Sequence, residues 1–326
     1  MHNTLTAELI DHYRTQGFVV IDNFLDEDEL TTWRQAVDDA VEQCQDRKLA
    51  HGDSREGDSY YDKVFTQRLN LWMDHDGVRQ LMLDPRLGQM AATLEGVDGI
   101  RIWHDQALIK QPWANPTGWH LDNPYWSFSS QHAISIWVAL DDATPDNGCL
   151  YFIPGSHREA NWDNSPIGQN MGELFELYPQ WATRASFAAP MRAGSCSFHN
   201  GLTAHGAGAN MTSGVRRAMT CAYMPDGEVF NGQANVLPPE YIATLREGDV
   251  LEKDELNPLL YHVSKDCPAV GEDRSTLICS KDTDQIPSRK TTNIFPPTAL
   301  PSTGGQGLPR MSSLPLPVMS PTTRSC

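Results

Sequence analysis

The sequence predicts an α+β protein that is mainly β, with an antiparallel sandwich or barrel as its main layer. Helical periodicity is confined to residues 1–98, and from Gly99 onward short β-type runs alternate with turn residues. Helices followed by many short strands are typical of folds in which helices cover one side of an antiparallel sheet. Each predicted element follows from a local pattern.

The first predicted helix covers residues 6–16. Leu9, Ile10 and Tyr13 fall on one face at helical spacing, and Gly17 follows as a stop signal. Residues 18–25, "FVVIDNFL", then have the β-branched and aromatic content of a strand.

A second predicted helix covers residues 26–45. Asp26 is the expected N-cap and Glu29 stands three residues later, which is the spacing of a capping box. Trp33 and Val37 give this helix a buried face. A polar loop at 46–59 and a further helix at 85–94 complete the N-terminal part.

The strand-forming part contains five runs rich in β-branched and aromatic residues. They are separated by the turn sequences "PDNG" and "TSG". The runs are "IRIWHDQALIK", "AISIWVAL", "CLYFIP", "SCSFH" and "RRAMTCAYM".

Composition and charge exclude several classes of partner. Of 326 residues, 40% are apolar, which suffices for a substantial core. The formal net charge of −17, with no basic stripe, argues against nucleic acid and anionic membranes as partners. Seven dispersed cysteines, no signal-peptide pattern and no apolar run of transmembrane length predict a cytoplasmic protein with free thiols.

The C-terminal segment has a different composition. Residues 285–326 contain eight prolines and many Ser and Thr, so residues 275–326 are predicted to be a disordered tail rather than a docking segment. Residues 275–326 hold five Lys/Arg and two Asp, so the first 274 residues carry a net charge of −20.

Three His-x-acid triplets are candidates for metal binding: His51/Asp53, His120/Asp122 and His157/Glu159. Only the second lies among aromatic residues and just before the most apolar run. A useful iron site needs a third ligand from elsewhere, because three facial ligands leave positions open for substrates. The third ligand is expected in "SFHNGLTAHGAGANMTSGVRRAM", which also holds an arginine pair suited to binding a carboxylate. From the residues alone, strand-end histidines and a surface arginine pair explain the pattern equally well.

The motifs "WHLD", "NGCLYFIPGSH" and "LTAHGAGANMTSGVRRA" together resemble the phytanoyl-CoA dioxygenase family of Fe(II)/2-oxoglutarate-dependent oxygenases, from about Phe18 to Tyr223. The resemblance implies a double-stranded β-helix (a cupin-like jelly roll) with N-terminal helices packed on it. It divides the dioxygenase domain, 1–274, into a helical part at 1–98, a jelly-roll core at 99–230 and a C-terminal extension at 231–274.

The resemblance also implies the site. His120, Asp122 and His205 match the positions that bind Fe(II), and Arg216 the position that pairs with 2-oxoglutarate, with His199 and Arg217 as alternatives. Gln106, Trp137 and Lys63 match weaker co-substrate positions. Two positions depart from the family pattern: Ala207 replaces a frequent serine, and Gly194-Ser195 replaces a frequent Gly-Asp pair.

The implied reaction is oxidation of a small molecule by O2, with decarboxylation of 2-oxoglutarate to succinate. Asp122 favours hydroxylation, because halogenating relatives lack this carboxylate. An acyl-CoA substrate is disfavoured by the net charge of the first 274 residues. Five aromatic residues could line a pocket for a cationic or apolar substrate, although at least half of them are expected to be core: Trp103, Trp113, Trp119, Tyr125 and Trp126. The alternatives are an inactive jelly-roll binding protein, a cupin-like metal enzyme that does not use 2-oxoglutarate, and a scaffold acting through the tail.

Overall fold

A computed structural model of the chain describes residues 1–43 and 64–264. These residues form six α-helices: α1 (Ala7–Gln16), α2 (Glu27–Gln43), α3 (Asp76–Met82), α4 (Pro85–Glu95), α5 (Leu174–Leu177) and α6 (Pro239–Ile242). They also form eleven strands: β1 (Phe18–Ile21), β2 (Thr66–Leu69), β3 (Gly99–Lys110), β4 (Thr117–His120), β5 (Ile134–Ala139), β6 (Leu150–Phe152), β7 (Phe187–Ala189), β8 (Cys196–Asn200), β9 (His205–Ala207), β10 (Arg216–Pro225) and β11 (Leu259–His262).

The strands make two antiparallel sheets. The larger has seven strands in the order β1-β8-β5-β10-β3-β11, with β2 also paired to β3, and the smaller has the order β4-β9-β6-β7. Side chains of both sheets meet in one buried cluster, in which Trp137 and Ala139 of β5 pack with Leu150 and Phe152 of β6. The sheets therefore face each other, which confirms the predicted antiparallel sandwich.

Helices α1 to α4 cover the other face of the larger sheet, because strand residues alternate between the two faces. On β5, Ile134, Ile136 and Val138 belong to a buried cluster that also holds Trp33 and Val37 of α2. Ser135 and Trp137, which alternate with these residues along β5, line a cavity on the face toward the smaller sheet. The apolar run of β5 is thus buried on both sides.

Several local predictions are confirmed. The backbone N–H of Glu29 donates to Asp26 Oδ1 (2.8 Å) and that of Asp26 donates to Glu29 Oε2 (3.1 Å), which is the predicted capping box. Gly17 follows the last residue of α1 as its C-cap, and its φ of +85° is in the left-handed region. The strand expected at 18–25 is shorter than predicted, because the chain turns at Asn23, where φ is +53°.

Among the described residues, eight elements were not predicted: α3, α5, α6, β2, β4, β7, β9 and β11. Each is short, and β2 and β11 are both strands through pairing with β3. Strand β11 lies in the C-terminal extension and β1 in the N-terminal part, so the larger sheet draws on residues outside 99–230. The loop expected at 46–59 and the tail expected at 275–326 lie outside the described residues. In the part of the chain that is described, no helix combines the length and apolar content needed to cross a membrane.

Arg101 connects β3 to the C-terminal extension at 231–274. Its Nε donates to Asp226 Oδ1 (2.6 Å), and Nη1 donates to Asp254 Oδ1 (2.6 Å) and to the carbonyl oxygen of Asn257 (2.9 Å). Because the arginine side chain is only 7% exposed and Asp226 13%, removing the guanidinium breaks a buried ion pair and the hydrogen bonds to Asp254 and Asn257.

We expect Arg101→Leu to lower the free energy of unfolding by about 3 kcal/mol, measured by urea denaturation. The control is Arg86→Leu, which removes a more exposed pair with Asp84 and is expected to cost less than about 1 kcal/mol. Equal losses in the two variants would contradict this role of Arg101.

Candidate active site

Two strands of the smaller sheet bring the candidate metal ligands together. His120 ends β4 and His205 begins β9, and the two residues are directly paired across the strands. Their ring centroids are 4.2 Å apart. Asp122 follows β4 by two residues, and one ligand atom of each of these three residues lies within 4.8 Å of the others.

Backbone carbonyls determine which ring nitrogen of each histidine faces the aspartate. His120 Nδ1 lies 2.8 Å from the carbonyl oxygen of Gly118, and His205 Nδ1 lies 3.0 Å from that of Thr203. Since a carbonyl oxygen only accepts, each Nδ1 carries a proton, and in the neutral imidazole Nε2 is then the atom with the lone pair that binds a metal. Those Nε2 atoms lie 3.5 and 3.7 Å from Asp122 Oδ1.

This donor set fits a divalent metal ion. Two imidazole Nε2 atoms and a carboxylate oxygen converge, an arrangement that a divalent cation stabilises. Burial, followed by the neighbouring His120, lowers the pKa of His205 to about 3, so that this imidazole is neutral. Two nitrogens and one oxygen are the ligand set of the facial triad of non-haem iron enzymes.

The second oxygen of Asp122 has its own partners. His199 Nε2 on β8 lies 3.2 Å from Oδ2, and Ser135 Oγ on β5 donates to the same atom at 3.3 Å. Burial alone would raise the pKa of Asp122, but His205, His120 and His199 hold it well below its usual range. His199, the alternative ligand from the sequence, therefore contacts the second oxygen of Asp122, and its ring centroid lies 4.5 Å from that of His205.

A cavity of about 490 Å³ between the sheets contains these groups and also Arg216. Arg216 begins β10 and is 3% exposed. Its Nε has no hydrogen-bond partner in the described structure, and its guanidinium lies 5.1 Å from the ring centroid of Trp137. Burial lowers the pKa of Arg216 to about 10, which still leaves it charged at neutral pH. A buried cation with few partners at a cavity wall is suited to a carboxylate ligand.

The alternative arginine, Arg217, is turned away from the cavity. Its guanidinium makes two hydrogen bonds to Asp141, at 2.7 and 2.9 Å, and a third to Asp38 at 2.5 Å. Gln106 and Trp137 line the same cavity as Arg216, and Gln106 accepts a hydrogen bond from Gln67. Lys63 lies outside the described residues.

Two polar residues in this part of the structure, Thr117 and Lys110, were not identified from the sequence. Thr117 lines the cavity and is paired across the strands with Ala207, the position where relatives often have serine. Lys110 is fully buried and stands opposite Arg216 on β3, and burial, followed by Arg216, lowers its pKa to about 7. Only the strand pairing places these two side chains here, and no motif indicates it.

The aromatic residues divide between cavity and core. Tyr125 and Trp126 line the cavity. Trp103 and Trp119 belong to separate apolar clusters, and Trp113 is 68% exposed. Trp103 and Trp126 are buried in one apolar cluster and Trp119 packs against another, so at least half of the five belong to the core, as expected.

The His157/Glu159 triplet, the other one that the structure describes, does not join the site. His157 lies 3.3 Å from the carbonyl oxygen of Arg14, and Glu159 pairs with Arg184. His51 and Asp53 lie outside the described residues. Within 1–43 and 64–264, the trio of His120, Asp122 and His205 is the one group with metal-binding geometry.

Comparison with known proteins identifies a matching family and several similar proteins. A family model described as phytanoyl-CoA dioxygenase (PhyH) matches residues 13–218. A methylphosphonate hydroxylase of Gimesia maris is 26% identical over 68% of this chain and 82% of its own length. A phytanoyl-CoA dioxygenase of Arabidopsis thaliana is 25% identical over 66% of this chain and 87% of its own.

Two solved structures are similar as well. One is a non-heme alpha-ketoglutarate-dependent carbocyclase from nogalamycin biosynthesis, with a TM-score of 0.65 and 29% identity, covering 78% of this chain and 96% of that one. The other is an epimerase in complex with Fe³⁺, alpha-ketoglutarate and a nogalamycin compound, with a TM-score of 0.60 and 26% identity, covering 78% of this chain and 97% of that one. The predicted jelly roll with added helices is thereby confirmed.

Proposed function

The chain belongs to the phytanoyl-CoA dioxygenase family and is a 2-oxoglutarate-dependent non-haem iron dioxygenase, and from this premise we propose that it hydroxylates a small molecule at an iron bound by His120, Asp122 and His205. The observation that carries the proposal is the convergence of two Nε2 atoms on Asp122 Oδ1. Family membership and the iron and 2-oxoglutarate bound by a relative argue against an inactive binding protein and against a metal enzyme without 2-oxoglutarate.

When bound, iron with 2-oxoglutarate supplies the power to activate O2 and oxidise a C–H bond while the co-substrate becomes succinate and CO2. The side chains of this protein bind and orient the reactants. The carbonyl oxygens of Gly118 and Thr203 hold the two imidazoles in the tautomer that binds metal, and His199 and Ser135 hold Asp122. Arg216, above Trp137, pairs with the distal carboxylate of 2-oxoglutarate.

The product of the reaction distinguishes hydroxylation from other outcomes. Asp122 occupies the position that halogenating relatives leave without a carboxylate, which supports oxygen transfer to the substrate. The two similar solved structures are a carbocyclase and an epimerase, so ring closure or epimerisation is the second candidate. Hydroxylation adds one oxygen atom derived from O2 to the substrate, whereas neither alternative adds any.

An acyl-CoA is not the substrate we favour. Its phosphates need cations, and among the described residues that line the cavity Arg216 is the one lysine or arginine. A cavity of about 490 Å³ has the size of a small-molecule site.

The experiment is an assay of succinate formation from 2-oxoglutarate with Fe(II) in air, with a library of small molecules screened for stimulation. We expect stimulated turnover with a product that carries one oxygen atom from labelled O2. His120→Ala is expected to be inactive, whereas the control His132→Ala, at an exposed histidine, retains activity. Absence of succinate formation by the wild-type protein under every condition would contradict the proposal.

His199 is expected to act through Asp122. Because its Nε2 donates to Asp122 Oδ2, His199→Leu removes a hydrogen bond that orients the ligand, and iron affinity or kcat is expected to fall about 10- to 100-fold. His199→Gln, which keeps an N–H donor, is expected to restore part of the loss, and the KM for 2-oxoglutarate should change little in both. If the leucine variant bound iron and turned over like the wild type, His199 would be a packing residue only.

A further inference from the structure

His104 is a cavity residue with no part in the iron or 2-oxoglutarate sites described above. It lies on β3 immediately after Trp103, where the pairing of β3 with β10 shifts by one residue. From His104 onward, alternate residues of β3 face the cavity: His104, Gln106 and Leu108 all line it. Lys110, opposite Arg216, follows on the same side of the strand. His104 is therefore the member of this row farthest along β3 from Arg216.

The imidazole of His104 lacks a partner. The side chain is 97% buried, being 3% exposed, and Nδ1 makes no hydrogen bond within the described structure. Burial lowers the pKa of His104 to about 4, with partial compensation by the charge of Asp122 and the backbone of Asp105. Nδ1 is closed off from solvent as well as unpartnered, which is uncommon in folded proteins; Nε2 is the ring nitrogen left to meet a ligand in the cavity.

The walls near His104 are aromatic or apolar. Trp126 meets His104 edge-to-face at 6.1 Å between ring centroids. The hydroxyl of Tyr125 is already used, because it donates to the carbonyl oxygen of Ser165 at 2.6 Å. The amide oxygen of Asn235 accepts from Trp103 Nε1 at 3.3 Å. Apart from histidines, the charged side chains among the described lining residues are Asp122, beside the metal site, and Arg216, at the opposite end of the β3 row.

We propose that His104 recognises the substrate through a hydrogen bond to a hydroxyl group of a neutral, ring-containing molecule that packs against Trp126. The inference rests on the proposed function and names the substrate class of that site. A hydroxyl group both donates and accepts, so it satisfies a neutral imidazole in either tautomer. A carboxylate or phosphate placed here would be desolvated without a cation beside it. A flat ring suits the face of an indole better than a flexible chain does.

The test uses matched probes on three ring systems: phenol, 2-naphthol and a hydroxyanthraquinone, each compared with its methyl ether and with the carboxylate of the same ring. Binding to the anaerobic Fe(II)–2-oxoglutarate protein is measured by calorimetry for the wild type, His104→Leu and His104→Gln. His12→Leu, the same change at an exposed histidine, is the matched control.

For at least one ring system, we expect the hydroxy compound to bind the wild type and the control at least about 10-fold more tightly than its methyl ether or its carboxylate does. His104→Leu should abolish this preference and His104→Gln should restore part of it, while both variants keep the visible band of the iron–2-oxoglutarate chelate. Three results would overturn the inference: tighter binding of carboxylates, a preference that survives in the leucine variant, or no preference on any ring. Absence of the chelate band in the wild type would instead overturn the proposed function itself.

Discussion

Asp122→Ala is expected to abolish iron binding at micromolar Fe(II) and to reduce 2-oxoglutarate turnover at least about 1000-fold. The substitution removes the one anionic ligand of the trio and leaves two imidazole nitrogens to hold the cation. It also leaves His199 and Ser135 without the carboxylate oxygen that both contact. Iron content by elemental analysis and succinate formation are the measurements.

The control for this experiment is Asp146→Ala, at an exposed aspartate of the "PDNG" turn, which should keep both iron and activity. Circular dichroism of the Asp122 variant establishes that it is folded. A folded Asp122→Ala protein that binds iron and turns over like the wild type would remove Asp122 from the metal site.

Arg216→Gln is expected to raise the KM for 2-oxoglutarate by about 30- to 1000-fold, equivalent to about 2–4 kcal/mol for losing one partner of a buried charge pair. The guanidinium is buried, is charged at neutral pH and has an unpartnered Nε in the described structure. Iron affinity should be little changed, because Arg216 does not belong to the metal trio. Arg216→Lys should recover part of the loss, since a lysine keeps the charge but not the planar fork.

Arg217→Gln is the matched control, one residue along the same strand. Its guanidinium is bound to Asp141 and Asp38, so its loss is expected to lower stability while leaving the KM for 2-oxoglutarate unchanged. If Arg217→Gln raised this KM and Arg216→Gln did not, the co-substrate arginine would be assigned to the wrong residue.

The parts of the fold that were predictable have strong local signals. The capping box of α2 and the glycine stop of α1 involve contacts between residues close in sequence. Among the short strands that were missed, β2 and β11 pair with β3, and β4 and β9, which hold two candidate metal ligands, pair with each other. All four therefore depend on residues far away along the chain. The strand that begins at Phe18 was predicted too long, because Asn23 adopts a left-handed conformation that its strand-like surroundings do not reveal.

The candidate site also has residues that the sequence predicts and residues that it does not. His120 and Asp122 are two residues apart in the sequence and were identified together. The resemblance to the family added His205 and Arg216. The role of His199 depends on β8 lying next to β5, which places its ring on the second oxygen of Asp122. His104 was missed because a single histidine in a strand carries no motif, and its direction depends on the shift in pairing at Trp103. Side-chain direction after such a shift is a property of the sheet that periodicity does not contain.

The central claim is that His120, Asp122 and His205 hold iron beside the site where Arg216 binds 2-oxoglutarate. Its most direct test is anaerobic titration of the protein with Fe(II) and 2-oxoglutarate, followed by visible absorption. We predict a weak charge-transfer band of the iron–2-oxoglutarate chelate that saturates at one equivalent of iron, is absent in Asp122→Ala, and requires much more 2-oxoglutarate in Arg216→Gln. A wild-type protein that shows no band at saturating Fe(II) and 2-oxoglutarate, or an unchanged band in Asp122→Ala, would contradict the claim.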